Sequence, residues 1–519
     1  MEIKLRFEVT LQDPDFRTIK EFPVIYLKRD NWDDFGFKTM FDARLYLSHR
    51  HPPLELGPVK ILKRGQEGGL TELPDKFQAL GDDYCSLGQA FSYYEVISSL
   101  PDELVGRVLE GLRDVTWDPG VRQQFAEELG FRTSLVRFGG AELALEDATS
   151  LFIYAVRKKK VSLAFQFQTS VGGEYFDISF RFGDRRPLPS RINVLVGYNG
   201  CGKTQLLANL ANVAHADLTK RERLSFKRKF GTFGQLESAP RFSSVITISY
   251  SAFDTFELPG KNREEESRLN ESGDIFGYVY CGLRRYHRGR GQKTVTARAL
   301  KDVTEIQSDL LSALARAQSP ERIDRLSRVL RPLAQEPSFQ RIGISESFDL
   351  SDFEWESKFE RLSTGHKLVL NIALQLVAHL EPGSLVLIDE PESHLHPPLL
   401  AALLKSITIA LEEFESYAVM ATHSPVVLQE IPRRYVQVLQ RFGRTTKVYQ
   451  PEIETFGENV GSLTRHIFSL DSSATDYHST LRELAESYSL SQVMDLFDGE
   501  VSSQALIYLS SLLRGGQSS

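Results

Sequence analysis

Cysteine, methionine and tryptophan are all scarce in this chain of 519 residues, which has three, four and three of them respectively. The cysteines, Cys85, Cys201 and Cys281, are far apart and odd in number. Small secreted proteins that depend on disulfides carry dense, even sets of cysteines. The pattern therefore excludes a disulfide framework and predicts a reducing compartment.

Long apolar runs are missing as well. No stretch approaches the roughly 18–20 apolar residues that a helix needs to cross a bilayer. The first residues, MEIKLRFEVTLQD, alternate like a β-strand and lack the apolar core of a signal peptide. We therefore expect a cytoplasmic protein without membrane contact, and a transporter motor would need a membrane subunit on another chain.

An excess of positive charge is also absent. The chain carries 62 Lys and Arg against 69 Asp and Glu, which gives a formal net charge of −7. Attraction of the whole molecule to nucleic acid is excluded, so a contact with DNA requires a local basic patch.

The apolar pattern divides the chain into three predicted domains. Residues 1–150 read as an N-terminal α+β extension, with alternating strands and helical spacing of apolar residues over 93–115. Residues 151–455 combine buried strands with helices, which predicts an α/β fold with a mixed central sheet, an antiparallel β-subdomain and a helical insertion at about 290–340. Residues 456–519 are predicted to be a C-terminal helical region.

A glycine-rich loop lies between the apolar segment RINVLVG and a helical stretch. Residues 197–204, GYNGCGKT, fit the pattern G-x-x-x-x-G-K-[ST] of a P-loop. In such a loop the backbone N–H groups point at phosphate oxygens, the lysine reaches the β- and γ-phosphates, and the final hydroxyl binds Mg²⁺. The loop predicts binding of ATP with Mg²⁺, through Gly197, Asn199, Gly200, Cys201, Gly202, Lys203, Thr204 and Gln205.

A second apolar segment, SLVLIDE, ends in two acids. Asp389 is the candidate that holds the water shell of Mg²⁺, which makes Thr204 and Asp389 the predicted metal ligands. Glu390 is the candidate general base that polarises the attacking water. Alone, such a strand end is a weak signal, but downstream of a P-loop it predicts ATP hydrolysis.

The segment LSTGH, residues 362–366, opens a predicted helix. The N-terminus of that helix, with the Ser363 hydroxyl and the Gly365 N–H, is an anion site. The segment resembles the L-S-G-G-Q signature of ABC (ATP-binding cassette) ATPases, although Thr364 replaces a glycine and His366 replaces the glutamine. The resemblance implies that Ser363 and Gly365 meet the γ-phosphate held by a second subunit. The alternative is an ordinary serine N-cap.

Two further segments extend the resemblance. Residues 391–397, PESHLHP, occupy the place of the D-loop of ABC ATPases, with His396 where an aspartate is usual. His423 follows the apolar segment YAVMAT, where ABC ATPases carry a histidine that contacts the γ-phosphate, so it is the second candidate catalytic residue. The alternatives are a core histidine at 423 and a metal site at His394 and His396, for which no third ligand is evident.

The motif order over roughly residues 160–450 is similar to that of stand-alone ABC-type ATPases, related to SMC and OLD proteins, that act in bacterial anti-phage defence. The ATPases of the Septu and PARIS systems are examples. The resemblance implies a P-loop head that dimerises head to tail around ATP, in a homodimer or higher homo-oligomer. It also implies a separately encoded nuclease or toxin as effector partner. The alternatives are a DNA-repair clamp of the RecF or SMC kind and, with less support, a transporter motor subunit.

Three basic clusters are candidate DNA contacts, although solvated helix faces are the alternative for each. They comprise residues 157–160, 220–229 and 284–293, and the last is interleaved with Tyr278, Tyr280 and Tyr286. Near it, Asp254 stands close to where ABC ATPases carry a glutamine, and a comparable role is one interpretation of this residue.

Overall fold

The computed structural model describes residues 4–152, 162–183, 187–234, 239–287, 297–341, 362–468 and 477–515. The first range begins with a mostly antiparallel sheet in the order β7-β1-β2-β4-β5-β8, in which β1 and β2 run parallel. The strands of this range are β1 Arg6–Thr10, β2 Val24–Arg29, β3 Phe37–Lys38, β4 Met40–Tyr46, β5 Leu54–Lys63, β6 Gly69–Leu70, β7 Lys76–Phe77 and β8 Tyr84–Gly88.

Helices cover this sheet and share a core with it that includes Phe7, Tyr94 and Phe125. They are α1 Phe91–Ser98, α2 Asp102–Gly111, α3 Pro119–Phe125, α4 Gly139–Asp147 and α5 Thr149–Phe152. The helical spacing over residues 93–115 thus belongs to two helices. The break comes at Pro101, because proline disfavours helical backbone in the residue before it.

The second part of the chain contains the remaining strands and most of the helices. The strands are β9 Leu163–Thr169, β10 Phe176–Phe182, β11 Ile192–Gly197, β12 Thr232–Phe233, β13 Val245–Ser249, β14 Tyr278–Gly282, β15 Arg284–His287, β16 Ala297–Leu300, β17 Leu385–Asp389, β18 Tyr417–Thr422, β19 Val436–Phe442 and β20 Thr445–Tyr449.

The helices of this part follow in chain order. They are α6 Lys203–His215, α7 Leu218–Glu222, α8 Leu224–Phe230, α9 Arg263–Ser272, α10 Val303–Ala317, α11 Ile323–Ala334, α12 Pro337–Arg341, α13 Thr364–His379, α14 Pro397–Glu413, α15 Pro425–Gln429, α16 Val460–Phe468, α17 Tyr477–Ser487, α18 Leu490–Leu496 and α19 Ser503–Gly515.

A seven-stranded sheet in the order β14-β13-β17-β18-β11-β19-β20 forms the centre of this part. Its strands run parallel except for β20, which pairs antiparallel with β19. Helices α13 and α14 pack in a core on one side of the sheet, and α6 lies in a second core. This is the predicted α/β fold with a mixed central sheet.

An antiparallel sheet of three strands, β10-β9-β12, accompanies the central sheet. The pairing of β9 with β10 confirms the predicted hairpin in the segment before the P-loop. At the other end of the chain, α17, α18 and α19 share a small core of Leu481, Val493 and Leu509. The predicted domain boundary at 150/151 adjoins residues 153–161, which lie outside the described residues, and the three-domain division stays a prediction.

The first part of the chain is joined to the second by charged and aromatic contacts. They lie around the C-terminal end of α6 and the start of β14. The contacts in this region include the ion pairs Arg137–Asp217 at 3.5 Å and Arg268–Asp30 at 2.7 Å, and the parallel ring stack Phe138–Phe276 at 4.5 Å between centroids. Across the described ranges, no helix is both long enough and apolar enough to cross a membrane.

Candidate nucleotide-binding site

The carboxyl ends of three neighbouring strands bring the predicted site residues to one edge of the central sheet. Strand β18 lies between β11, which leads into the P-loop, and β17, which ends at Asp389. In the register of the sheet Val196 pairs with Thr422, and Asp389 pairs with Ala421. The P-loop, the strand-end acids and His423 therefore meet, as ligand sites do at the carboxyl ends of parallel strands.

The P-loop is built on two glycines with left-handed backbone. Gly200 has φ +80° and Gly202, which caps α6, has φ +99°. A side chain at Gly202 would also approach Val171 to 2.6 Å, so the loop is held close to the β9–β10 hairpin. The left-handed backbone at Gly202 explains why the pattern requires a glycine before the lysine.

Lys203 is buried within the loop that it follows. Its Nζ donates hydrogen bonds to the carbonyl oxygens of Gly197 at 2.8 Å and Tyr198 at 3.3 Å. The ammonium group is thereby placed inside the curve of the loop, where a phosphate group of ATP would be bound. Gln205, by contrast, directs its side-chain amide to Asn209 at 2.8 Å.

Thr204 and Asp389 contact each other directly. The Thr204 hydroxyl lies 2.9 and 3.0 Å from the two carboxylate oxygens of Asp389. Burial raises the pKa of Asp389 to about 7; the Thr204 hydroxyl and Lys203 lower it, whereas Glu390 and Asp254 raise it further. A buried carboxylate among other acids is stabilised by a hard cation, and Mg²⁺ is typically held by one or two carboxylates together with substrate phosphates. The two residues therefore fit the predicted Mg²⁺ site.

Glu390 follows Asp389 with an unusual backbone conformation. Its φ is +50°, which is rare for a residue with a side chain and is often found at functional sites. Its backbone N–H donates to the carbonyl of Ala421 at 2.9 Å, which fixes it against β18. Glu390 Oε1 lies 3.3 Å from Nδ1 of His423, so the two predicted catalytic side chains are adjacent and both are partly exposed.

Glu392 in the D-loop is not among the predicted site residues, but it contacts the end of β18. Its Oε1 accepts hydrogen bonds from the Thr422 hydroxyl at 2.7 Å and from the backbone N–H of His423 at 2.9 Å. Its other oxygen, Oε2, is buried and has no hydrogen-bond partner among the described residues. Glu392 thus ties the D-loop to the end of β18 and positions His423.

The signature segment forms the start of α13, as predicted. Ser363 is its N-cap, and its hydroxyl accepts the N–H of His366 at 3.4 Å. A Cβ at Gly365 would lie 3.2 Å from the carbonyl oxygen of His394, so this position packs against the D-loop of the same chain. None of these contacts involves the P-loop.

The alternative metal site at His394 and His396 gains no support. Within the described residues, no group of three or more His, Cys, Asp and Glu side chains is arranged to hold a metal ion. His396 is the residue before α14, and His394 has a left-handed backbone with φ +67°. Both histidines are therefore part of the turn structure of the D-loop.

The third basic cluster differs from its prediction. Arg284 is buried and forms an ion pair with Asp254, which also accepts a hydrogen bond from the Tyr280 hydroxyl at 2.8 Å. Tyr278 and Tyr280 belong to the core, so they do not stack on bases. The assignment of Arg284 to DNA contact is wrong, because its charge is needed to neutralise Asp254. Because Arg284 and Tyr280 occupy the Asp254 carboxylate, Asp254 is poorly placed to take over the role of the glutamine that ABC ATPases carry near this position.

The other basic clusters are only partly described. Residues 157–160, and residues 288–293 of the third cluster, lie outside the described residues. In the second cluster, Arg221 is partly buried and donates to the carbonyl of Ala214 at 2.7 Å. Arg228 and Lys229 are exposed on α8 and remain candidate contacts for DNA.

Comparison with known proteins gives one relative with similarity over almost the whole chain. The chain is 27% identical, over 516 residues, to "Protein ea59" of Escherichia phage lambda, and the alignment covers 94% of each protein. Solved structures with some similarity include an ATP-binding cassette of an ABC transporter in the ADP conformation, at 13% identity and a TM-score of 0.28, covering 57% of this chain and 94% of that one. Another is an SMC head domain from Thermotoga maritima, at 12% identity and a TM-score of 0.25, covering 56% and 98%.

A family profile matches part of the chain. Residues 298–429 match the family described as "AAA domain, putative AbiEii toxin, Type IV TA system". This range includes Ser363, Asp389, Glu390 and His423 but begins after the P-loop. In the sheet, however, strand β11, which leads into the P-loop, lies next to β18 of the matched range. The chain is therefore similar to an AAA domain over residues 298–429, and the fold places the P-loop next to this segment.

Proposed function

We propose that this chain hydrolyses ATP to ADP and phosphate, and that two copies close head to tail around the nucleotide as in ABC ATPases. The observation that carries the proposal is the contact of the Thr204 hydroxyl with both carboxylate oxygens of Asp389, beside Lys203 of the P-loop. Sequence-distant residues of two motifs thus form one site with the polar groups that a nucleotide and Mg²⁺ require.

Each side chain has a separate task in this mechanism. Lys203 binds the phosphates, and Thr204 and Asp389 would hold Mg²⁺, which supplies positive charge against the phosphate oxygens. Glu390 takes a proton from the attacking water as general base. His423, positioned by Glu392 and adjacent to Glu390, donates a hydrogen bond to the transferred phosphate.

Closure between two copies is supported by the position of the signature helix. Ser363 and Thr364 are exposed at the N-terminus of α13, so the free end of this helix is accessible to a second copy. A helix N-terminus attracts anions through its free N–H groups and its dipole. In our proposal this end completes the ATP site of the second copy.

We further propose that closure regulates a separately encoded nuclease or toxin in anti-phage defence in the cytoplasm. The matching family is described as a putative toxin of a type IV toxin–antitoxin system. This description supports a role for the chain in a system that contains a toxic effector. A DNA-repair clamp is the second candidate and is favoured by the exposed basic residues of α8. A transporter motor has no comparable observation in its favour.

ATP hydrolysis by the purified chain tests the first part of this proposal. We expect Mg²⁺-dependent release of phosphate, strong loss of ATP binding in Lys203→Ala, and slow turnover with retained ATP binding in Glu390→Gln. Wild-type affinity for ATP in a folded Lys203→Ala protein would contradict the P-loop assignment. Undiminished turnover in Glu390→Gln would show that another group activates the water.

Mixing two inactive variants tests the head-to-tail arrangement. Thr364→Glu places a negative charge at the first residue of α13, where an acid does not disturb the helix but repels a γ-phosphate. Thr364→Gln is the matched control of equal size. We expect Thr364→Glu to bind ATP and to hydrolyse it poorly. Mixing it with Lys203→Ala should restore part of the activity, because a mixed pair has one site with both elements intact. A mixture that stays inactive after proven subunit exchange would exclude the composite site.

Co-purification from the native host distinguishes the biological roles. We expect a nuclease or toxin to be retained on wild type and Glu390→Gln, in amounts that change with ATP. Recovery of DNA without a protein partner would support the clamp instead, and recovery of a membrane subunit would support the transporter motor.

A further inference from the structure

A chain of hydrogen bonds runs from the exposed end of the signature helix into the protein. The Ser363 hydroxyl lies 2.6 Å from Nδ1 of His366, and Nε2 of the same ring lies 2.8 Å from the hydroxyl of Ser338. The Ser338 hydroxyl in turn bonds to a carboxylate oxygen of Glu336. Three contacts thus join Ser363 to a carboxylate on the helical insertion.

The donor and acceptor of each of these three hydrogen bonds follow from the number of protons available. Burial opposes ionisation of Glu336, but hydrogen bonds from the side chain and backbone of Ser338 and from the backbone of Phe339 hold its pKa below the usual range. An ionised carboxylate only accepts, and a serine hydroxyl has a single proton. Ser338 must therefore donate to Glu336, so Nε2 of His366 carries the proton that is donated to Ser338.

The neutral His366 ring consequently accepts the hydroxyl proton of Ser363, which is then not available for a phosphate. With its proton on Nε2, Nδ1 of His366 is an acceptor, and the Ser363 hydroxyl must donate to it. The serine proton then points into the protein, where it is not available to a phosphate oxygen. In the imidazolium form Nδ1 is a donor, and the Ser363 proton is free to point outward.

We propose that His366 is a positioning residue that makes the Ser363 hydroxyl a phosphate donor only when the imidazole ring is doubly protonated. This inference rests on the proposed function of Ser363 at the γ-phosphate. Closure around ATP then takes up one proton from solvent onto Nδ1, and opening releases it. His366 stands where ABC signatures usually have glutamine. This substitution makes the hydrogen bonding of Ser363 dependent on pH.

The groups around His366 have opposing effects on this step. Burial lowers the pKa of His366; Glu336 raises it, and His396 of the D-loop lowers it. The Phe339 ring packs against the His366 ring at an interplanar angle of 77°, with 4.5 Å between the ring centroids, and contributes no charge. A γ-phosphate adds negative charge on the same side as Ser363, so its arrival favours the imidazolium.

The pH profile of single-turnover hydrolysis tests the inference. For wild type we expect the rate to fall on the alkaline side by about tenfold per pH unit, the slope of a single proton. His366→Gln cannot gain this proton, so its alkaline limb should be flat while ATP affinity is unchanged. Ser338→Ala frees the ring to carry its proton on Nδ1, so its alkaline limb should also weaken, with a rate at pH 8.5 at least equal to wild type.

Controls separate this role from a merely structural one. Gln340→Ala changes an exposed residue of the same short helix and should leave the profile as in wild type. A structural role for the network predicts equal losses at every pH in His366→Gln and Ser338→Ala, and that result would overturn the inference. A preserved alkaline limb in folded His366→Gln would overturn it as well.

A direct measurement keeps the inference independent of hydrolysis. Nitrogen-15 NMR of histidine-labelled protein should show the His366 ring with its proton on Nε2 in the chain without nucleotide, and Ser338→Ala should lose this preference. A proton on Nδ1 in neutral wild-type His366 would contradict the inference. Absence of hydrolysis by wild type would instead count against the proposed function, and the ring measurement would still decide the role of His366.

Discussion

The Thr204 hydroxyl lies 3.0 Å from Oδ1 and 2.9 Å from Oδ2 of Asp389, at the edge of the central sheet, although the two residues are 185 positions apart in the sequence. Thr204→Val removes only the hydroxyl. We expect hydrolysis to fall about tenfold or more, since a hydrogen bond to a charged group contributes about 1.5–3 kcal/mol. Thr204→Ser is the matched control and should stay active. A titration of activity with Mg²⁺ checks this, and an unchanged Mg²⁺ dependence in Thr204→Val would count against the metal assignment.

Glu392 should matter for turnover more than for ATP binding. Glu392→Ala removes the acceptor for the Thr422 hydroxyl and the His423 backbone, so His423 is no longer held beside Glu390. Glu392→Gln keeps one acceptor oxygen and should recover part of the rate. We expect lower kcat and little change in ATP affinity for the alanine variant. Equal activity of the two variants would show that this tie has no part in hydrolysis.

The buried pair of Arg284 and Asp254 should contribute to stability. Arg284→Met leaves the Asp254 carboxylate buried without its counter-charge, which costs about 3–5 kcal/mol for such a pair. Adding Asp254→Asn should recover much of the loss, because the uncompensated charge is then removed. Urea denaturation of the single and double variants measures both effects. A double variant no more stable than Arg284→Met would refute this interpretation.

The exposed basic residues of α8 give the prediction for DNA. Reversing the charge of Arg228 and Lys229 should weaken binding of duplex DNA and reduce its dependence on salt, because fewer phosphate contacts release counterions. Arg17→Glu reverses an exposed charge on the first part of the chain and should leave both quantities unchanged. An equal salt slope for all three proteins would assign α8 to a solvated face.

The raised pKa of Asp114 should make the stability of the protein depend on pH between about 4 and 7. Burial raises its pKa from 3.8 to about 6, while hydrogen bonds from Thr116 and Tyr94 lower it. The folded state therefore keeps this proton where the unfolded state has lost it, and the contribution of Asp114 to stability is present below pH 4 and declines through pH 6. Each unit of pKa difference corresponds to about 1.4 kcal/mol. Asp114→Asn should remove this component, so its melting temperature relative to wild type should rise between pH 4 and 7. A constant difference would contradict the prediction.

Local patterns were sufficient to predict most of the candidate nucleotide-binding site. The P-loop, the strand ending at Asp389 and the helix opened by Ser363 are each encoded by consecutive residues, because glycine positions, apolar runs and an N-cap act over a few residues. The sequence also contained the signal for the break at Pro101, which the apolar spacing over 93–115 obscured.

Other features depend on partners that no local pattern identifies. Arg284 looks like one member of a basic cluster until the fold brings Asp254 to it. The role of His366 requires Ser338 of α12 and Glu336, which precedes that helix, and the role of Glu392 requires the end of β18. Such contacts are properties of packing between distant segments, so a single sequence does not contain them in readable form.

The contact of the first 150 residues with the P-loop part of the chain has a consequence for the gene. The Phe138–Phe276 ring stack and the Arg137–Asp217 ion pair each take one member from either side. Removing the first 150 residues would uncover the Phe276 ring and deprive Asp217 of a counter-charge near the end of the P-loop helix. A shortened gene would therefore not encode a smaller version of the same protein, and recombination that exchanges one part alone would disrupt these contacts unless the matching residues are exchanged with it.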